Sequence, residues 1–139
     1  MDKFHPKLKT PICEKLGIDY PIIQTGMGWV SSSRLTAATC RTGAIGFLAT
    51  ATQTFTEMKS SVREIKEATE KPFGINVRTD SPDIEERLDW AIKEGIKVVS
   101  FAQAPKPEMV KKLSGSGVIT IPTIAARRHA EKVAEWGVD

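Results

Sequence analysis

Four times along the 139 residues, an amphipathic stretch ends at a glycine and a short apolar run begins. The cases are Thr42-Gly43-Ala44-Ile45-Gly46-Phe47-Leu48, Glu94-Gly95-Ile96-Lys97-Val98-Val99, Ser116-Gly117-Val118-Ile119-Thr120-Ile121 and Trp136-Gly137-Val138-Asp139. Glycine suits the left-handed position that closes a helix, since it has no Cβ to clash there. The run after it is short and β-branched, as expected of a strand buried on both faces of a parallel sheet. Repeated strand–helix alternation with short turns means right-handed βαβ units.

The pattern places strands over residues 22–24, 46–49, 73–77, 98–101 and 118–121. Thr54 and Glu57 have capping-box spacing, and Met58, Val62 and Ile65 follow at i, i+4, i+7. Ser81-Pro82 reads as an N-cap with proline at the first helical position, and Ile84, Leu88 and Ala91 form the inner stripe. Residues 105–113 form a short helix with Met109, Val110 and Leu113 inward; Ala126, Ala130 and Val133 line the last one, where Arg127 and Glu131 pair at i, i+4.

Five strands, each followed by a helix, fit either a barrel or a doubly wound sheet. The first turn, Thr25-Gly26-Met27-Gly28-Trp29-Val30, lacks the third glycine of the dinucleotide-binding turn, which favours the barrel. The expected fold is α/β, a (β/α)₈ TIM barrel that is incomplete, with its first five βα units present. A closed barrel takes eight strands and typically ~250 residues. Val138-Asp139 reads as the approach to a sixth strand, so residues 1–139 are expected to be the N-terminal part of one domain, truncated before that strand. Two open sheet edges would favour self-pairing or a homo-oligomer.

Composition narrows the function classes. A charge of +3, with Lys and Arg interleaved among Asp and Glu, gives no nucleic-acid patch. The first seven residues lack an apolar signal region, and no apolar stretch approaches ~18 residues, so no membrane partner is expected and the cytoplasm is the expected location. Cys13 and Cys40 make no disulfide framework and read as structural thiols.

Barrel chemistry sits at the strand C-terminal ends. There, Gly26 and Gly28 flank Met27, so the backbone can approach a planar ligand with its N–H groups free to donate, or else simply turn tightly. Asn76 ends an otherwise apolar strand; its amide suits the N/O edge of a flavin ring or the following turn. Ser100 and Gln103 could reach the same face. His5 lies in the polar leader, and His129 reads as lying on the last helix, far from the strand ends. No Ser/His/Asp arrangement, metal-spaced cluster or P-loop occurs.

The segment Pro21-Ile22-Ile23-Gln24-Thr25-Gly26-Met27-Gly28-Trp29-Val30-Ser31 resembles the first-strand signature of nitronate monooxygenases and of the similar flavin-dependent enoyl-[acyl-carrier-protein] reductases. Ala44-Ile45-Gly46-Phe47-Leu48, Lys71-Pro72-Phe73-Gly74-Ile75-Asn76-Val77, Val98-Val99-Ser100-Phe101 and Ile119-Thr120-Ile121-Pro122-Thr123 support the likeness in order and spacing. It implies an FMN-bound barrel acting on a small-molecule substrate. Gly26, Met27 and Gly28 would contact the ring, and Asn76 would hydrogen-bond it. The family's catalytic histidine, after the sixth strand, and its phosphate loops would lie beyond Asp139. The implied activity is oxidation of alkyl nitronates with O₂; the alternative is NAD(P)H-dependent enoyl reduction, a branch to which Trp29 points. A half-barrel without catalysis, folding only on pairing, is the alternative of another class.

Overall fold

Every glycine that closes a helix in the repeat has a left-handed backbone: φ is 94° at Gly43, 75° at Gly95, 73° at Gly117 and 84° at Gly137. The computed structural model describes residues 6–139; His5, in the leader, lies outside them. In chain order the elements are α1 (Pro11–Leu16), β1 (Ile23–Gln24), α2 (Ser33–Arg41), β2 (Ile45–Ala49), α3 (Phe55–Ala68), β3 (Gly74–Val77), α4 (Ile84–Lys93), β4 (Val98–Phe101), α5 (Pro107–Ser114), β5 (Ile119–Pro122) and α6 (Arg127–Ala134). Single 3-10 turns occupy Pro6–Leu8 and Gly28–Val30.

The five strands form one parallel sheet in the order β1-β2-β3-β4-β5. Strand order that follows chain order, without reversal, is the winding of a barrel rather than of a doubly wound sheet. The chain is thus a half-barrel of five βα units preceded by α1.

Two cores divide at the sheet. On the helix-facing side, Leu48, Ile75, Val77, Val99 and Phe101 pack against Met58, Val62, Ile65, Leu88 and Leu113. On the inner side, Ile45, Phe47 and Val98 pack against Cys13, Leu16 and Ile18. Helix α1 therefore closes the inner face at the strand N-terminal ends, leaving the opposite ends for chemistry. The thiols are buried and unbridged. Burial pushes the Cys40 pKa up, opposed by the Gly46 N–H that its Sγ accepts at 3.3 Å.

Helix starts follow their caps. Thr54 Oγ1 accepts from Glu57 N, and Glu57 Oε2 accepts from Thr54 N at 2.7 Å, completing the box foreseen for α3. The α4 start differs from expectation. Ser81 and Pro82 do not open the helix: Ser81 O accepts from Ile84 N in a turn, and α4 begins at Ile84 with no side-chain cap. Likewise α5 begins at Pro107, behind Lys106, rather than at Pro105. In both cases a proline near the boundary is compatible with a turn as well as with a first helical residue.

The side of β5 away from β4 carries Asp139. Its N–H lies 3.4 Å from Thr120 O, its carboxylate accepts from Thr120 N at 3.0 Å, and Lys15 Nζ stands 2.9 Å from Oδ1.

Candidate functional site

Strand register sorts the inner face into layers. Phe47, Gly74, Val98 and Ile119 lie side by side, and one step further up Ala49, Asn76, Ser100 and Ile121 do the same. A Cβ on Gly74 would fall 2.3 Å from Phe47 Cε1, so the aromatic ring lies over the glycine and floors the upper layer. The lower layer is apolar; the upper one holds the polar pair Asn76 and Ser100, each 8% exposed.

Asn76 Nδ2 donates to Ser100 Oγ at 2.8 Å. The Asn76 main-chain oxygen accepts twice from Thr50, at 3.1 Å from N and 2.9 Å from Oγ1. A Cβ on Gly26 would come within 2.6 Å of Asn76 Oδ1 and 2.5 Å of its Cβ. Gly26 is therefore required by protein packing, because the turn after β1 lies directly against Asn76. Gly28 is required for a different reason. Its φ is +52°, with Thr52 Cγ2, at 3.9 Å, the only near neighbour of a Cβ placed there. The structure thus brings Gly26 and Asn76 together, with Gly28 and Met27 following on the same turn.

The turn is more tied down than the sequence suggests. Ser31 is 1% exposed, and its Oγ accepts from Met27 N at 2.8 Å and from Gln24 Nε2 at 2.9 Å while donating to Thr25 O at 2.8 Å. The expectation of free N–H groups in this turn is therefore corrected at Met27, whose N–H is already bonded. The side chains of Met27, Trp29 and Val30 point to solvent, Trp29 at 86% exposure. Alongside, Gly28, Trp29, Thr52, Gln53 and Glu57 help to line a groove of about 410 Å³.

Arg87 was not singled out from the sequence. It is 5% exposed on α4, and its guanidinium donates to Thr50 O at 3.1 Å and Gln53 O at 2.8 Å, with Asp83 Oδ2 2.8 Å from Nε. A signal existed: Arg87 fills the i+3 position of the stripe Ile84, Leu88, Ala91, where a charged residue must find buried partners. Ser100 meets its expectation. Gln103 does not, because it is exposed and bonds Thr79 Oγ1 and Asp80 Oδ2 instead of Asn76. His129 lies on the last helix as expected, in the first turn of α6, half-buried, with Arg128 Nε 3.4 Å from Nε2.

Among the described residues, the groups with shifted pKa are Cys40, Glu57, Arg78, Asp80, Asp83 and Lys112, and all stand on loops and helices outside the inner layers. An apolar floor, a buried amide–hydroxyl pair and a glycine wall can hold and orient a flat ligand with a hydrogen-bonding edge. No helix among the described residues is long and apolar enough to cross a membrane.

Residues 9–93 match the family model described as nitronate monooxygenase. The chain is 48% identical, over 95% of its length, to a (3aS,4S,5R,7aS)-5-hydroxy-7a-methyl-1-oxo-octahydro-1H-indene-4-carboxyl-CoA dehydrogenase of Rhodococcus jostii, and covers 37% of that protein. It is 39% identical to a nitronate monooxygenase of Paraburkholderia phytofirmans over 53% of its length and 20% of the relative's. The structure of FabK from Thermotoga maritima superimposes with a TM-score of 0.90 at 27% identity, over 94% of this chain and 42% of FabK. The chain thus spans less than half the length of these proteins.

Proposed function

Because the chain belongs to the nitronate monooxygenase family, we propose that its strand C-terminal ends hold FMN, in an oxidoreductase that removes hydrogen from a carboxyl-CoA thioester of a fused-ring acid. The observation that carries the cofactor reading is the Asn76–Ser100 pair, polar and buried in an otherwise apolar inner face. Its residues fit a flavin. The Asn76 amide can serve a ring edge that both donates and accepts, Gly26 leaves no Cβ between turn and amide, and Met27 offers a soft exposed contact. When bound, FMN supplies a two-electron acceptor. This chain's contribution is to hold its ring edge and to shape one wall of the site.

The substrate reading leans on the dehydrogenase likeness, which runs through 95% of the chain, against 53% for the nitronate monooxygenase relative. Nitronate oxidation with O₂ is the second reading, favoured by the family match itself. Both readings share the flavin, so the first test is for cofactor. Purified protein is mixed with FMN, freed of unbound ligand, and scanned between about 350 and 500 nm. Retained flavin bands are expected. Asn76→Ala should weaken retention by about fivefold, the equivalent of one lost hydrogen bond; unchanged flavin content would overturn the assignment of Asn76. Gly28→Val should also lose cofactor, since a β-branched residue strains at φ +52°. Anaerobic bleaching of bound flavin by a saturated ring-carboxyl-CoA, but not by an alkyl nitronate, would select the first substrate class; the reverse would select the second.

A further inference from the structure

The guanidinium of Arg87 lies at the junction of three elements that meet behind the candidate site. It projects from α4, is 5% exposed, and takes two main-chain oxygens of the β2–α3 loop, Thr50 O at 3.1 Å and Gln53 O at 2.8 Å. Met58 Sδ of α3 lies 3.7 Å from Nη1, and the Phe55 ring centre 6.0 Å from Cζ. Asp83 supplies the counter-charge at 2.8 Å, close to Nε but off the direction of its N–H. Thr50, held by its carbonyl, passes the restraint on. Its N–H and hydroxyl both bond Asn76 O, and Asn76 in turn donates to Ser100. Hydrogen bonds thus run from α4 through the β2 exit loop to the main chain of Asn76, the residue whose side-chain amide bonds Ser100 in the upper layer.

We infer that Arg87 is a positioning residue for the cofactor site, fixing Asn76 through the Thr50 carbonyl. The inference rests on the reading that Asn76 contacts the cofactor. A planar fork that serves two carbonyls at once is what arginine offers and a point-charge ammonium does not. An apolar side chain of similar length would leave the Gln53 carbonyl unpaired and Thr50 O with only the Gln53 N–H, at 3.1 Å, so the loop would loosen toward solvent.

Two readouts test it, one of them independent of any cofactor. The side-chain amide resonance of Asn76, identified by its loss in Asn76→Asp, reports hydrogen exchange at that NH₂, and FMN titration reports affinity. In Arg87→Met both are expected to move, with amide exchange faster and FMN affinity weaker by about tenfold, and Arg87→Lys should lie between Met and the parent. Leu88→Ala provides the structural comparison. It empties a fully buried position next to Arg87 on the same helix, without touching the loop carbonyls, and should leave Asn76 exchange and FMN affinity near parental values. Unchanged exchange in Arg87→Met, or equal changes in Leu88→Ala, would overturn the inference. A parent that retains no FMN would remove the cofactor reading alone, while the exchange measurement would still decide the link from Arg87 to Asn76.

Discussion

Ile23 and Ile45 are register partners on neighbouring strands, yet one is 45% exposed and the other 0%. Identical side chains on the same face differ because β2 has a strand on each side and β1 has one. Every residue of β2, β3 and β4 is buried, whereas β1 and β5 at the sheet edges are only partly covered. In a parallel sheet, then, burial belongs to the neighbourhood rather than to the residue's hydropathy. The site straddles this divide. Asn76 stands at the well-packed centre, while the turn with Gly26 hangs from the least covered strand and is secured by Ser31 and by contact with Asn76 itself.

The largest expected effect breaks or sustains that contrast. Ile45→Ala should cost about 2–5 kcal/mol, the usual loss for emptying a buried aliphatic site. Ile23→Ala should cost less than about 1 kcal/mol, as a change at an open surface. Urea midpoints of the two variants make the measurement. A cost at Ile23 equal to that at Ile45 would mean that the β1 edge is covered in solution, as self-pairing through open edges would cover it.

A smaller contrast distinguishes helix starts. Helix α3 opens with a reciprocal box at Thr54 and Glu57, whereas Lys106 before α5 makes no side-chain cap. Thr54→Ala is expected to lower stability by about 1 kcal/mol. Lys106→Ala should stay within about 0.5 kcal/mol of the parent in the same denaturation assay. Equal effects would show that the Thr54 box is compensated by the packing of α3.

Much of this fold was legible because its punctuation is local. Gly43, Gly95, Gly117 and Gly137 mark helix ends through their own backbone freedom, and Thr54-x-x-Glu57 marks a start through bonds within four residues. The strand assignments met the observed ones to within a residue at each end, since β-branched runs between such marks leave little choice. Legibility failed where the decisive partner is distant in sequence. Arg87 meets Thr50 and Gln53 from more than 30 residues away. Gly26 is explained by Asn76, fifty positions on, rather than by a ligand alone. Gln103 could be placed on the right end of the barrel from its strand, but its choice of Asp80 over Asn76 depends on where Arg78 brings that carboxylate.

That last cluster carries the smallest predicted effect and tests centre against rim once more. Arg78 Nε and Nη2 donate to Asp80 at 2.9 and 2.6 Å, while Gln103 reaches over from the β4 exit loop at 3.5 Å. The hydrogen bond from Arg78 is the main cause that holds the Asp80 carboxyl at about 2, below its ordinary 3.8. A depressed carboxyl stabilises the folded loops above its ordinary pKa and loses that contribution as pH falls toward the folded value. The window is therefore from about pH 4 down to 2. Both side chains are about half exposed, so the effect is local and screened by salt. Amide exchange is expected to rise through this window at residues 78–83 and 102–104 while Ile75 and Val99, in the centre, stay protected. Asp80→Asn should flatten the loop response and leave the centre as it was. A rise shared by Ile75 and Val99 would mean that the packed strands lose stability together with their rim, and one that persists in Asp80→Asn would mean that a group other than Asp80 titrates.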